Sequence, residues 1–490
     1  MAARGEIAAS DLQRDLYVLA ADSMRGRETG SPEALMAAAF IADRARRLGL
    51  EPAGDSLYLQ RVPLQRETLT SSSRITVDER GHTTPIRIGI DVAPLVNLGA
   101  GIPPAKRSAE GEVVFAGYGM ATAKPRRDDL AGLDMEGKVV VVINGAPHGA
   151  DSATTEAMEA PEAISERLAR ILPHHPAAVV ILLAGKSMPL FEDALPQIQG
   201  AMAPRSADQE LADADRPLPM ILLGVPRTRS ALLPVNWPTD DHPQVLKGRY
   251  FRAQVVQQKT LVMGYNVVAV LRGSDPVLNK TYVALGAHYD HLGVVPAVNG
   301  DSIANGADDD GSGSVALLAI ARAMVTAKER PKRSMLFVWH TGEEEGLFGS
   351  SHFVDHPTVP IDSIVAQLNA DMIGRNAPAL LYTVGPVSAP NGRSRRLGAI
   401  VDSVNAQQAV PFVIDKSWDS PVHPEHIYER SDHFNYARKS IPIVFFTTGM
   451  HPDYHRPSDE AARIDYDKLA RVSQLIRDVA MAVGNGARPR

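Results

Sequence analysis

The chain has no cysteine among its 490 residues. That absence excludes a disulfide framework, a thiolate zinc site, an iron–sulfur cluster and a cysteine nucleophile. Any bound metal must be held by histidine nitrogen and carboxylate oxygen. No apolar run reaches the roughly 18 residues that a membrane-spanning helix needs, and residues 1–10 (MAARGEIAAS) lack the apolar segment of a secretory leader. There is no basic excess either. Lys and Arg number 51 against 57 Asp and Glu, a net charge of −6, so no electrostatic footprint for nucleic acid or an anionic membrane is expected. Internal repeats and low-complexity tracts are missing. The glycine-rich stretch 306–313 is not followed by Gly-Lys-Ser/Thr, which removes a phosphate loop.

What is present is a globular balance of 44% hydrophobic and 22% charged residues. At roughly 150 residues per domain the length implies two or three units. The first fifty residues read as helices: Ser31, Pro32 and Glu33 form a cap, a first-turn proline and a first-turn acid, and Gly49 ends an apolar stripe. Short strands follow over 59–90. A Gly/Pro-rich passage at 99–107 reads as a linker. The expected organisation is 1–107 completing the main domain, 108–258 as a smaller β-rich α+β insert, and 259–490 as the main domain proper. The insert shows apolar strands at 111–119, 138–144 and 177–184 and ends in a passage with Pro226, Pro234 and Pro238. Beyond it, strands at 266–271, 282–287, 335–339, 364–368 and 441–446 alternate with helices at 312–328 and 467–483. That alternation predicts an α/β three-layer sandwich around a mixed, mainly parallel sheet.

Ligands in such sheets bind beyond the carboxyl ends of the strands. There the sequence places His288 and Asp290, then Asp308 to Asp310, Glu343 to Glu345, Asp371, and a loop with His451 and His455. Histidine and carboxylate delivered at successive strand ends suit a pair of divalent cations about 3.5–4 Å apart, which need a shared carboxylate and terminal ligands. An additional carboxylate is then needed to move a proton. Adjacent Glu343 and Glu344 suit that division, because successive side chains leaving a strand end diverge.

Five motifs, GAHYDHLG (286–293), GADDDGSGS (306–314), GEEEGLFGS (342–350), LNADMIG (368–374) and PDYHRPSDE (452–460), resemble those of the co-catalytic di-zinc aminopeptidases of the bacterial leucyl aminopeptidase type, related to glutamate carboxypeptidase and glutaminyl cyclase. The resemblance implies two Zn²⁺ ions: His288 and Asp371 on one, Glu344 and His455 on the other, and Asp309 between them. It implies Glu343 as general base and acid, and Asp290 as the carboxylate that orients His288. It further implies a cis Asp309–Asp310 bond, a carbonyl-polarising Tyr454 and a substrate-contacting Arg430. The insert resembles a protease-associated domain. The implied activity is removal of N-terminal residues from peptides. The alternatives are a carboxypeptidase or dipeptidase of the glutamate carboxypeptidase type and, in another class, a receptor-like binding protein without catalysis. The family's habit implies a periplasmic or secreted enzyme whose leader has been removed.

Other polar residues read more plainly. Asp308 and Asp310 suit a solvated helix start. His423, His426 and His433 suit a rim or structural segment, with His433 paired to Asp432.

Overall fold

In the computed structural model, which describes residues 5–486 except 96–104, 124–125, 148, 161, 192–193, 196–200, 205–217, 234–241, 421 and 424, the chain divides into two units. One comprises Met1–Pro63 with Val262–Arg490, the other Leu64–Leu261.

The first unit is built on strands β1 (Gln257–Leu271), β2 (Tyr282–His288), β3 (Ser334–His340), β4 (Ile364–Ala370), β5 (Leu380–Val384), β6 (Val413–Asp415) and β7 (Ile443–Thr447), in the order β1-β3-β2-β4-β7-β5-β6. Pairing is parallel through β3, β2, β4 and β7, and antiparallel where β1 meets β3 and where β5 meets β7. Strands buried on both faces need apolar residues at successive positions, and β2 and β3 are buried along their whole length. Alternation then sorts the side chains. Val267, Ala269, Val283, Leu285, Phe337 and Trp339 face α1 (Ala9–Leu19), α2 (Pro32–Arg47), α3 (Gly313–Thr326), α5 (Arg395–Asn405) and α7 (Tyr466–Asn485). Val268, Val270, Ala284, Leu336 and Val338 face α4 (Phe348–Asp355) and α6 (His433–Arg438) through Phe353, Val354 and Tyr436. Each such large side chain contributes about 1.5–3 kcal/mol on burial. The anticipated cap is in place: Ser31 Oγ accepts from Ala34 N at 3.0 Å, an interaction of about 1 kcal/mol. The fold is the expected α/β sandwich with a mixed sheet.

The second unit has its own sheet, with parallel Ser108–Phe115, Val139–Asn144, Ala178–Leu183 and Met220–Gly224 at its centre. Apolar clusters lie on both of its faces. Its boundary differs from the expected 108. Arg74–Glu79 pairs with Gln244–Gln254, and Val92–Pro94 pairs with Met220–Gly224, so strands from Arg74 onward belong to this sheet and the unit begins at Leu64. Most of the 99–107 linker, with Pro234 and Pro238, lies outside the described residues. Among the described residues no helix is long and apolar enough to cross a membrane.

Candidate metal centre

The parallel strands of the first unit end side by side, and their loops bring the charged residues together. His288 is the last residue of β2, Asp371 follows β4, Glu343 and Glu344 follow β3, and His455 lies in the loop after β7. Asp309 comes from the turn ahead of α3 and stands between two groups. Its Oδ1 is 3.3 Å from His288 Nε2 and its Oδ2 is 3.3 Å from His455 Nε2. On the first side, His288 Nε2 is also 3.7 Å from Asp371 Oδ1 and 3.8 Å from Glu343 Oε2. On the second, His455 Nε2 is 3.1 Å from Glu344 Oε2. The Asp309–Asp310 bond is cis.

His288 Nε2 and Asp371 Oδ1 are buried with no hydrogen-bond partner. A buried polar atom left so costs about 1–3 kcal/mol, and here two of them face one another. Histidine nitrogen with carboxylate oxygen at these separations is a donor set that fits divalent cations on either side of Asp309. The electrostatics agree. Burial alone would raise the Asp309 carboxyl, yet His288 and His455 hold it well below the usual carboxylate range. Burial alone would lower the His455 imidazole, yet Asp309 and Glu344 lift it to about 10. Protons on histidine thus balance the carboxylates, and cations would displace them. Glu343 differs. Burial, reinforced by Asp371 and Glu344 against the pull of His288, pushes its carboxyl well above the usual range.

The flanking aspartates are not the solvated helix start expected of them. Both are fully buried. Asp310 accepts from His288 N at 3.1 Å, Gly313 N at 2.8 Å and Met372 N at 3.3 Å, tying together three segments that carry the cluster. Asp308 Oδ1 accepts from Gly374 N at 2.7 Å, and its Oδ2 lies 3.3 Å from His451 Nε2. Of the two histidines after β7, His451 therefore serves Asp308 and His455 reaches Asp309. Ser431 Oγ donates to Asp371 Oδ2 at 2.7 Å. The expected His433–Asp432 pair is also replaced. Asp432 faces His340 Nδ1 at 3.1 Å, and His433 stacks on Phe445 at 4.7 Å, because their backbone sends consecutive side chains apart. Asp290 takes part indirectly: His288 Nδ1 lies 3.2 Å from its main-chain oxygen and 3.7 Å from its carboxylate, which accepts from Thr29 Oγ1 at 2.9 Å and Glu343 N at 3.3 Å.

Sequence reasoning missed three contributors. Arg27 is fully buried and donates to Tyr289 O at 2.6 Å, Leu19 O at 2.8 Å, Asn305 O at 2.7 Å and Gly306 O at 2.9 Å, fixing both loops beside the cluster. Thr29 secures Asp290. His291, with no side-chain exposure, places Nδ1 2.5 Å from Glu344 Oε1. The one available signal was the second histidine of HYDH (288–291). Gly306 makes that position possible. At φ +56° its missing Cβ would lie 2.5 Å from His291 Cγ and 2.3 Å from Asp309 O.

The carboxylates open into a cleft that is also lined by Met372, Trp418, Ile427, Phe445 and Met450. Tyr454 and Arg430 stand at its edge. Tyr454 stacks on His455 with ring centroids 3.8 Å apart, and burial keeps its hydroxyl protonated. Arg430 donates to Tyr454 Oη at 3.2 Å and pairs with Glu425 at 3.1 Å.

Fold and cluster together define an α/β protein with buried histidines and carboxylates gathered at the ends of its parallel strands. Residues 266–480 match the model of peptidase family M28. The chain is 29% identical over 223 residues to leucine aminopeptidase 1 of Trichophyton rubrum, a match covering 43% of this chain and 56% of that protein. It is 34% identical over 186 residues to a probable leucine aminopeptidase 2 of Aspergillus oryzae, covering 38% of this chain and 34% of the other. The chain thus spans less than two thirds of the length of these relatives. Among solved structures it resembles an aminopeptidase from Aneurinibacillus sp. strain AM-1, with TM-score 0.57, 19% identity and coverage of 97% and 93%. A zinc aminopeptidase from Bacillus subtilis gives TM-score 0.54, 17% identity and coverage of 96% and 94%.

Proposed function

We propose that the chain is a zinc-dependent aminopeptidase holding two Zn²⁺ ions, with His288 and Asp371 on one, Glu344 and His455 on the other, and Asp309 shared. The observation that carries this reading is the two-sided Asp309 carboxylate, each oxygen 3.3 Å from a different histidine. Divalent cations bound there supply Lewis acidity, which acidifies water and polarises a carbonyl. The protein's own part follows from its side chains. Glu343, buried and of raised proton affinity, accepts a proton from the attacking water at a carboxylate oxygen and passes it to the leaving amine. Tyr454, kept protonated, donates its O–H to the developing oxyanion, and Arg430 steadies that hydroxyl.

Two features favour an N-terminal over a C-terminal substrate end. The cleft wall beyond the carboxylates is apolar, which suits an uncharged terminal side chain, and the carboxylates themselves suit a free ammonium. The arginine at the cleft edge, which a carboxypeptidase would turn on a substrate carboxylate, is already paired with Glu425. In the same proposal Leu64–Leu261 is a protease-associated-like module, a reading supported by its separate sheet and cores.

Aminoacyl-p-nitroanilides, assayed beside N-blocked peptides with and without chelator, test the reading. Chelator-sensitive cleavage of the free-amine substrates is expected. Cleavage of blocked peptides alone would overturn it.

A further inference from the structure

The two sides of Asp309 are not equivalent. On the first, His288, Asp371 and Asp309 converge, with Glu343 beside them. On the second, Glu344 and Asp309 are flanked by two histidines, not one. His455 lies at 3.1 and 3.3 Å and is 36% exposed; His291 approaches from the buried side with its Nδ1 2.5 Å from Glu344 Oε1 and 4.0 Å from Asp309 Oδ2. The two rings meet edge to face with centroids 5.8 Å apart, so neither blocks the other. His291, Asp309 and Glu344 present ligand atoms within 4.8 Å of one another, as His288, Glu343 and Asp371 do on the first side. The buried Nε2 of His291 has no hydrogen-bond partner, so no other contact commits the ring.

We propose that His291 is a fourth protein ligand of the second cation, which is therefore held by His291, His455, Glu344 and Asp309. This rests on the two-metal reading above and adds a residue to it. Three protein donors leave a zinc position open to water, and a fourth adds to the hold on the ion. The second side, with the larger donor set, then holds its ion more tightly than the first. The cost of burying His291 against two carboxylates is repaid when a cation lies between them.

The test uses the whole protein loaded with one equivalent of zinc, read by X-ray absorption, whose outer-shell scattering counts imidazoles. Two imidazoles on the bound zinc are expected, and one would overturn the proposal. Metal titration of His291→Ala provides a second reading. Loss of the tighter zinc, by more than the roughly 10–100-fold that removing a ligand's supporting partner costs, is expected, with the weaker zinc retained. Two zinc ions bound with unchanged affinities would overturn the assignment of His291 while leaving the aminopeptidase reading intact. Failure of the unmodified protein to bind zinc would remove both.

Discussion

Among the described residues each unit contains one fully buried arginine used in the same way, and the two serve different ends. In the first unit Arg27 gives its guanidinium to the main-chain oxygens of Leu19, Tyr289, Asn305 and Gly306. In the second, Arg167 does so for Tyr118, Gly145, Met158 and Ala163 and also bonds Asn144 Oδ1. Burial lowers both to about 10, so both stay charged at neutral pH. The loops fixed by Arg27 run beside buried histidines and carboxylates at the strand ends. Those fixed by Arg167 carry no such cluster among the described residues. A cleft of the second unit is lined instead by Arg74, Lys106, Glu110 and Arg252, and Arg252 is paired with Asp78 and Glu110. A pinned loop is thus a structural device that either unit can use. Convergent buried charge makes only one of them a candidate for chemistry.

The largest expected effect tests that asymmetry directly. Glu343→Gln keeps the donor set but removes the proton acceptor, so turnover falls on the order of 10²–10⁴-fold with zinc content unchanged. An equal loss on Arg252→Ala, in the second unit, would break the comparison. Next comes Arg27→Ala. Each carbonyl left without a partner costs about 1–3 kcal/mol, so thermal unfolding should reveal a loss of several kcal/mol, and metal titration should show weaker zinc. Arg167→Ala should destabilise by a similar or smaller amount and leave zinc affinity as it was. Weakened zinc in that variant would show that the units do not divide the roles as described.

The site residues that were legible in the sequence share one property. His288, Asp309, Glu343, Glu344, Asp371 and His455 each follow or precede a strongly apolar element, so a one-dimensional pattern places them at one edge of a parallel sheet. Arg27, Thr29 and the flanking aspartates act through contacts between distant segments, which no local period encodes. Asp308 and Asp310 resemble a solvated turn until Gly374 and Met372 are folded over them. β5 and β6 escaped notice because they are short, and the insert began earlier than expected because the strands read over 59–90 were assigned to the main domain ahead of the Gly/Pro-rich passage, whereas Arg74–Glu79 pairs with Gln244–Gln254.

The smallest predicted effect concerns pH. Burial against Phe445 lowers the His433 imidazole from 6.5 to about 3. As pH falls from 6.5 towards 3, the unfolded chain takes up a proton that the folded chain refuses, so stability declines with acidity, by on the order of 2 kcal/mol near pH 5. Denaturant titrations across that range should show the slope in the native protein and a shallower one in His433→Phe. Equal slopes would assign the acid sensitivity of the first unit elsewhere.

The reach of Arg27 also bears on synthesis. Its guanidinium and the imidazole of His455 serve one cluster from opposite ends of the chain. A chain still emerging from the ribosome therefore carries most of the strands of both sheets before His455 can join the cluster. Chains that stop before His455 are expected to lack one side of the Asp309 cluster, and with it the proposed chemistry.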